Sequence, residues 1–176
     1  HKSLEEVIVH FLKERSLTLT TAESCTGGMI ASKIVNVAGA SEVFNQGFVT
    51  YSNKAKRKMV GVGKNTLKKY GAVSEPTARE MAAGGAEEAD AEAAVAVTGI
   101  AGPDGGTDEK PVGLVYIACC LNGDVTVEEC HFHGSRTEIR EQSAMDPEKL
   151  RLGCGFMNGC MWGMRRRNGG IPSSRQ

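Results

Sequence analysis

Along the first part of the chain the spacing of apolar positions switches between helical and strand periods, and a capping or turn residue marks each switch. Ser3 and Glu6 form a capping-box pair ahead of Val7, Ile8, Phe11 and Leu12, which predicts an amphipathic helix to about Arg15. Leu17-Thr18-Leu19-Thr20-Thr21 then alternates with period two and is rich in β-branched residues, whereas Met29-Ile30-Ala31-Ser32-Lys33-Ile34-Val35 repeats at helical spacing. A strand therefore passes into a helix, over about 27–37, through Ala22-Glu23-Ser24-Cys25-Thr26-Gly27-Gly28. Residues 44–51 read as a second strand, Asn53 caps a short helix through Met59 and Val60, and Ser74 with Pro76 opens another through Arg79, Met81 and Ala82. Residues 93–97 form an apolar strand suited to burial on both faces. Residues 114–120 and 125–132 flank Asn122-Gly123, the strongest short hairpin signal.

Helices that alternate with strands, followed by a hairpin, predict an α/β fold: a three-layer α/β/α sandwich with a mixed, mostly parallel sheet. From Met145 onward the pattern is lost, because Cys154, Met157, Cys160, Met161, Trp162 and Met164 are interspersed with glycines. The chain is thus expected to hold one domain over 1–144 and an atypical, irregular Gly/Met/Arg-rich tail over 145–176.

Composition narrows the class. At 176 residues, with 40% apolar and 24% charged residues, one globular domain is expected, neither disordered nor fibrous. No apolar run approaches the ~20 residues of a membrane span and no signal peptide opens the chain, so a cytoplasmic protein without a membrane partner is expected. The chain starts at His1 rather than Met, which suggests a trimmed product or a cloning boundary. Six cysteines, at 25, 119, 120, 130, 154 and 160, lack a CxxC pair and are read as thiols. The net charge of zero hides an asymmetry: residues 151–176 carry five arginines and no acid, which leaves 16 basic against 21 acidic residues in 1–150. Arg165-Arg166-Arg167 has no accompanying nucleic-acid module, so a solvated tail and no nucleic-acid partner are expected.

Three loops should meet at one sheet edge, since ligands in open α/β sheets bind beyond the carboxyl ends of the strands. In the first, Ser24 is either a nucleophile beside unpaired helix amides or, with Thr26, a cap of the helix that follows Gly27 and Gly28. In the second, Tyr51-Ser52-Asn53-Lys54-Ala55-Lys56, a cap at Asn53 puts Lys56 in the first helical turn, where the helix dipole disfavours an ammonium. Burial would act in the same direction, toward the neutral amine of a general base, and Tyr51 would bridge or orient a Ser24–Lys56 proton transfer. The plainer alternative makes Lys54 and Lys56 two solvated surface lysines. The third loop, 98–106, holds Gly99, Gly102, Gly105 and Gly106, enough for a backbone that wraps an anion with its amides, or for a long connection. Arg136 and Arg140, four apart on one helical face, either clamp a phosphate or pair with Glu138 and Glu141. His131 and His133 share a strand face but lack a third ligand, so no metal is expected. Cys25 is the weaker nucleophile, because none of the three loops holds a histidine to serve it.

Thr21-Ala22-Glu23-Ser24-Cys25-Thr26-Gly27-Gly28, residues 47–53 (GFVTYSN), residues 71–76 (GAVSEP) and residues 98–106 (TGIAGPDGG) with Lys110-Pro111-Val112-Gly113 closely resemble the CinA C-terminal domain family. The resemblance covers roughly residues 4 to 143. It implies a cofactor- and metal-independent amidohydrolase, commonly a dimer, that converts the nucleotide nicotinamide mononucleotide to nicotinate mononucleotide and ammonia. It implies Ser24 as nucleophile, Lys56 of the Tyr-Ser-Asn-x-x-Lys pattern as base and Tyr51 as assisting hydroxyl, with Ser41 and Thr98 at positions implicated in the site. A substrate arginine falls at Arg136 or Arg140, beside the loop residues Thr26, Gly27, Gly28, Gly99, Gly102 and Gly105. The chain carries no pyrophosphatase-like domain of the kind that precedes this module in longer relatives, which fits a stand-alone enzyme. It also departs from the family's leucine-rich terminal helix after Met145. A non-catalytic nucleotide-binding module and an amidase of another substrate are the alternative readings.

Overall fold

In a computed structural model, which describes residues 2–145, helix α1 (Leu4–Arg15) begins at the expected capping box. The Ser3 hydroxyl accepts from the Glu6 amide at 3.3 Å, and the Glu6 carboxylate accepts from the Ser3 amide at 2.6 Å. Five strands follow: β1 (Leu19–Glu23), β2 (Phe48–Val49), β3 (Ala93–Gly99), β4 (Leu114–Leu121) and β5 (Asp124–His131). The helices between and after them are α2 (Met29–Val35), α3 (Asn53–Val60), α4 (Lys64–Tyr70), α5 (Glu75–Glu88) and α6 (Arg136–Met145). The expected region 145–176 lies outside the described residues except for Met145 at the end of α6.

The sheet order is β2-β1-β3-β4-β5, with β1 parallel to β2 and β3, and β4 antiparallel to β3 and β5. The mixed sheet is therefore half parallel by strand pairing. The β4–β5 hairpin turns at Asn122 (φ 49°) and Gly123 (φ 88°), two left-handed residues in succession that match the twist of the strands they join.

Two cores sandwich the sheet. On one face Leu12, Ile30, Ile34 and Ile139 of α1, α2 and α6 cover Val95, Val97, Val115 and Ile117. On the other, Ala78, Met81, Ala82 and Ala86 of α5, with Val60 of α3, cover Ala22, Ala94, Ala96 and Ala118. Small residues on both sides let α5 lie close to the sheet and to α3. A Cβ on Gly84 would fall inside contact distance of the Val60 carbonyl oxygen, and one on Gly85 would meet the Ala22 Cβ at 3.5 Å.

Several expectations are corrected. The strand expected over 44–51 is paired only at Phe48–Val49, with an isolated bridge at Phe44, because the Gln46 carbonyl accepts from the Thr20 hydroxyl instead of joining a ladder. β1 is buried at all five positions rather than alternating, since it is central and covered on both faces. Helix α4 was not expected: it buries no residue, so its sequence carries no apolar stripe. Among the described cysteines, Cys25 and Cys120 are free and buried.

Candidate functional site

The carboxyl end of β1 delivers Ser24 into a buried position, where its amide donates to the Val97 carbonyl at 2.9 Å and so extends the β1–β3 pairing by one residue. Neither Ser24 nor Thr26 caps α2. The cap residue is Gly28 (φ 105°), and the amides of Ile30 and Ala31 donate at 2.9 and 3.1 Å to the carboxylate of Glu23. Those two helix amides, expected to be open to a ligand, are thus occupied by a carboxylate 1% exposed to solvent. An anion at the positive end of a helix is electrostatically favoured, and here it frees the serine hydroxyl from local duty. Thr26 Oγ1 is buried without a hydrogen-bond partner among the described residues. The amides of Thr26 and Gly28 likewise have no acceptor among them.

Lys56 reaches Ser24 from the other side of the loop cluster. Ser52, not Asn53, is the N-cap of α3; its hydroxyl accepts from the Ala55 amide at 3.0 Å, which sets Lys56 at the close of the first turn. Its side chain is 1% exposed, which removes the surface-lysine alternative. Nζ donates to Ser24 Oγ at 2.9 Å and to the Thr50 carbonyl at 2.8 Å. No ion pair among the described residues involves Lys56. Burial without a counter-charge pushes its pKa down from 10.5 to about 8, against a smaller opposing effect of Cys25. A lysine so placed is a neutral amine over an accessible pH range, as a general base must be. Cys25 goes the other way: burial first of all pushes its thiol up to about 11, which suppresses the thiolate and removes it as nucleophile.

The other two loops are tied in by α6. Arg140 Nε and Nη2 donate to the carbonyls of Cys25 and Thr26 at 2.9 and 3.3 Å, next to Gly27 (φ 59°). Arg136 Nη1 donates to the Gly102 carbonyl at 2.7 Å and Nη2 to the Tyr51 hydroxyl at 3.1 Å. Neither arginine forms an ion pair with Glu138 or Glu141 among the described residues; Glu138 instead accepts from the Ser135 amide at 2.6 Å at the start of α6. The Tyr51 side chain is 63% exposed, and its hydroxyl stands with Arg136 while the Ser24–Lys56 contact is direct. Thr98 is buried, its hydroxyl donating to the Ala72 carbonyl at 2.7 Å. Gly99 is a packing residue, since a Cβ there would meet the Val115 side chain at 2.6 Å, while Gly102 (φ 78°) and Gly105 (φ 89°) turn the third loop.

Ser41 is not brought to this edge. It is exposed in a 3-10 turn (Ala40–Glu42), next to Val43, whose carbonyl accepts from the amide of Leu19 at the start of β1. That is the opposite end of the strand, roughly 16 Å from Ser24 at the usual rise per residue. Sequence reasoning missed Glu23 and Thr50. The signal for Glu23 was a lone carboxylate inside an otherwise apolar strand, immediately before a helix start. Among the described residues no group of three or more His, Cys, Asp or Glu converges as metal ligands, and the His131 ring is paired with Glu129 at 2.8 Å. No helix among them is long and apolar enough to cross a membrane.

The family model of the CinA C-terminal domain matches residues 1–148. A CinA-like protein of Kosmotoga olearia is 56% identical over 144 residues, 82% of this chain and 35% of its own length. A putative competence-damage inducible protein of Clostridium beijerinckii is 54% identical over 143 residues, 81% of this chain and 35% of its own. The chain thus spans about a third of the length of the curated relatives it matches. Among solved structures, the competence/damage inducible protein CihA of Agrobacterium tumefaciens superposes with a TM-score of 0.80 at 48% identity, covering 85% of this chain and 90% of that one. A CinA superfamily protein of Klebsiella pneumoniae gives 0.82 at 34% identity, covering 88% and 96%.

Proposed function

The chain belongs to the CinA C-terminal domain family, and from that premise we propose that it is a Ser/Lys amidohydrolase that converts nicotinamide mononucleotide to nicotinate mononucleotide and ammonia. The observation that carries this reading is the buried, counter-charge-free Lys56 amine 2.9 Å from Ser24 Oγ. Neutral Lys56 takes the Ser24 proton as Oγ attacks the carboxamide carbon. The resulting oxyanion is assigned to the amides of Thr26 and Gly28 in the first loop, which have no acceptor among the described residues. Lys56 then gives its proton to the leaving nitrogen, which departs as ammonia and leaves an ester on Ser24. Water, deprotonated by the same amine, attacks that ester and frees the acid.

Arg140 is committed to the carbonyls of the first loop, so it holds the turn that carries Ser24. Arg136, exposed and without a carboxylate partner among the described residues, is the arginine suited to the substrate phosphate, with Tyr51 beside it. The test is ammonia release by the purified full chain from nicotinamide mononucleotide, nicotinamide and glutamine. Release from the mononucleotide is expected, and its loss in Ser24→Ala and in Lys56→Ala. Full activity in both variants sinks the mechanism. Tight binding of the mononucleotide by calorimetry with no ammonia replaces the enzyme by a nucleotide-binding module.

A further inference from the structure

Charge is segregated along this chain more sharply than its zero net value suggests. Residues 43–74 carry seven Lys and Arg and no Asp or Glu, whereas residues 75–150 carry five against sixteen. Apart from buried Lys56, the cations of the first stretch all lie on α3 and α4 and are exposed: Lys54, Arg57, Lys58, Lys64, Lys68 and Lys69. None of them is in an ion pair among the described residues. Both helices sit against α5: Val60 packs on its apolar face, and the carboxylate of Glu80 on α5 is engaged by the Gly63 amide and the Thr66 hydroxyl.

Helix chemistry accounts for only part of this pattern. Arg57, Lys58, Lys68 and Lys69 lie in last turns, where the dipole favours a cation. Lys54 and Lys64 lie in first turns, where it does not, and each stands four residues before a second lysine, a spacing at which like charges destabilise a helix. These repulsions have no compensating acid within the described residues. Exposed Met59 and Tyr70 add apolar and π surface to the same helices, with Lys69 Nζ 4.9 Å from the Tyr70 ring centroid.

We propose that the α3–α4 surface is a docking site for single-stranded nucleic acid, with the six cations neutralising phosphates and Tyr70 stacking on a base. A single strand is favoured because the aromatic platform needs an unpaired base.

Fluorescence anisotropy of a labelled oligothymidylate titrated with the full chain at low and rising salt tests this. At ~0.7 per phosphate contact, six contacts give a log-affinity against log-salt slope of roughly −4. The double variant Lys58→Glu/Lys68→Glu should weaken binding and flatten the slope by about 1.4, and Tyr70→Ala should weaken it several-fold. Both variants should keep the circular dichroism spectrum and ammonia release of the parent, because neither touches Ser24 or Lys56. The proposal is overturned by absence of salt-dependent binding at low salt. It is equally overturned if the double variant binds like the parent, which would move the contact elsewhere, Arg165–Arg167 included, or if poly-glutamate or anionic vesicles bind as tightly.

Discussion

The two faces of the sheet are built from different residues. Against α1, α2 and α6 the strands present Val95, Val97, Val115 and Ile117 to Leu12, Ile30, Ile34 and Ile139, large side chains whose removal from water supplies stability. Against α5 they present Ala22, Ala94, Ala96 and Ala118, and α5 answers with Ala78, Ala82 and Gly85, while its Gly84 faces Val60 of α3. That second face buries little area per residue, but small side chains bring backbones together. Its product is a short path from α5 through Val60 to α3, which fixes Lys56 one helical turn before Val60. One face keeps the protein folded, and the other sets the distance between a base and a nucleophile.

The largest expected effect comes from removing the group that the small-residue face positions. Lys56→Met keeps the length of the side chain and discards the amine, so ammonia release should fall by about 10⁴-fold or more. Stability should move the opposite way. A lysine whose pKa drops from 10.5 to about 8 is charged at neutral pH at a burial cost of roughly 3 kcal/mol, which methionine does not incur. The sign fixes a pH window: the folded state binds fewer protons than the unfolded one between about 8 and 10.5, so the native protein gains stability as pH rises through it. Denaturant titrations should therefore show Lys56→Met more stable at neutral pH, with an advantage that shrinks toward pH 10. A variant that is inactive and also less stable at neutral pH would mean that the ammonium is not held at a cost.

Next comes Gly84→Ala, a single methyl aimed at the contact between α5 and α3. The new Cβ cannot coexist with the Val60 carbonyl where it stands, so α3 must shift. A displacement on the order of 1 Å at a catalytic group costs about 10²-fold in rate. Kinetics on folded protein should show that loss mainly in kcat, with a modest stability cost of ~1–3 kcal/mol. Unchanged kcat would show that Lys56 does not depend on this packing.

How far the sequence revealed this division depends on the range of each interaction. The capping box of Ser3 and Glu6 and the Asn122-Gly123 turn act within three or four residues, and both were legible with their boundaries. The Ser24 and Lys56 side chains were nominated by their loops, and the resemblance to one family pointed to the same pair. Glu23 was not legible, because its partners, the amides of Ile30 and Ala31, become available only when the Gly27-Gly28 turn folds the chain back. Ser41 lies apart from the pair for a related reason: a position can match a pattern while the short crossover through α2 returns it to the far end of β1. Arg140, bonded to the first loop, and Arg136, bonded to the Gly102 carbonyl and the Tyr51 hydroxyl, are one helical turn apart on the same face, and only the third dimension separates their partners.

A tenfold effect follows from pH alone. If neutral Lys56 is the base, kcat/KM should rise tenfold per pH unit at low pH and level off above about 8, the value set mainly by burial. A pH–rate profile flat from 6 to 9 would remove Lys56 as the titrating base. Thr50, whose carbonyl is the second acceptor of the Lys56 head group, is itself held by its amide to the Glu23 carbonyl at 2.8 Å, so the base stays aligned in either protonation state.

The smallest effect belongs to the large-residue face and completes the contrast. Ile117 is 1% exposed on β4 and packs in the core under α1, α2 and α6. Ile117→Val deletes one methylene there and should cost ~0.5–1.5 kcal/mol in denaturant unfolding. Because that core does not contact α3 or α5, kcat and the inflection near pH 8 should match those of the parent protein. If Ile117→Val changed the pH profile as Gly84→Ala changes kcat, the two faces would be mechanically coupled, and the placement of Lys56 would rest on the whole sandwich instead of on its alanine-lined half.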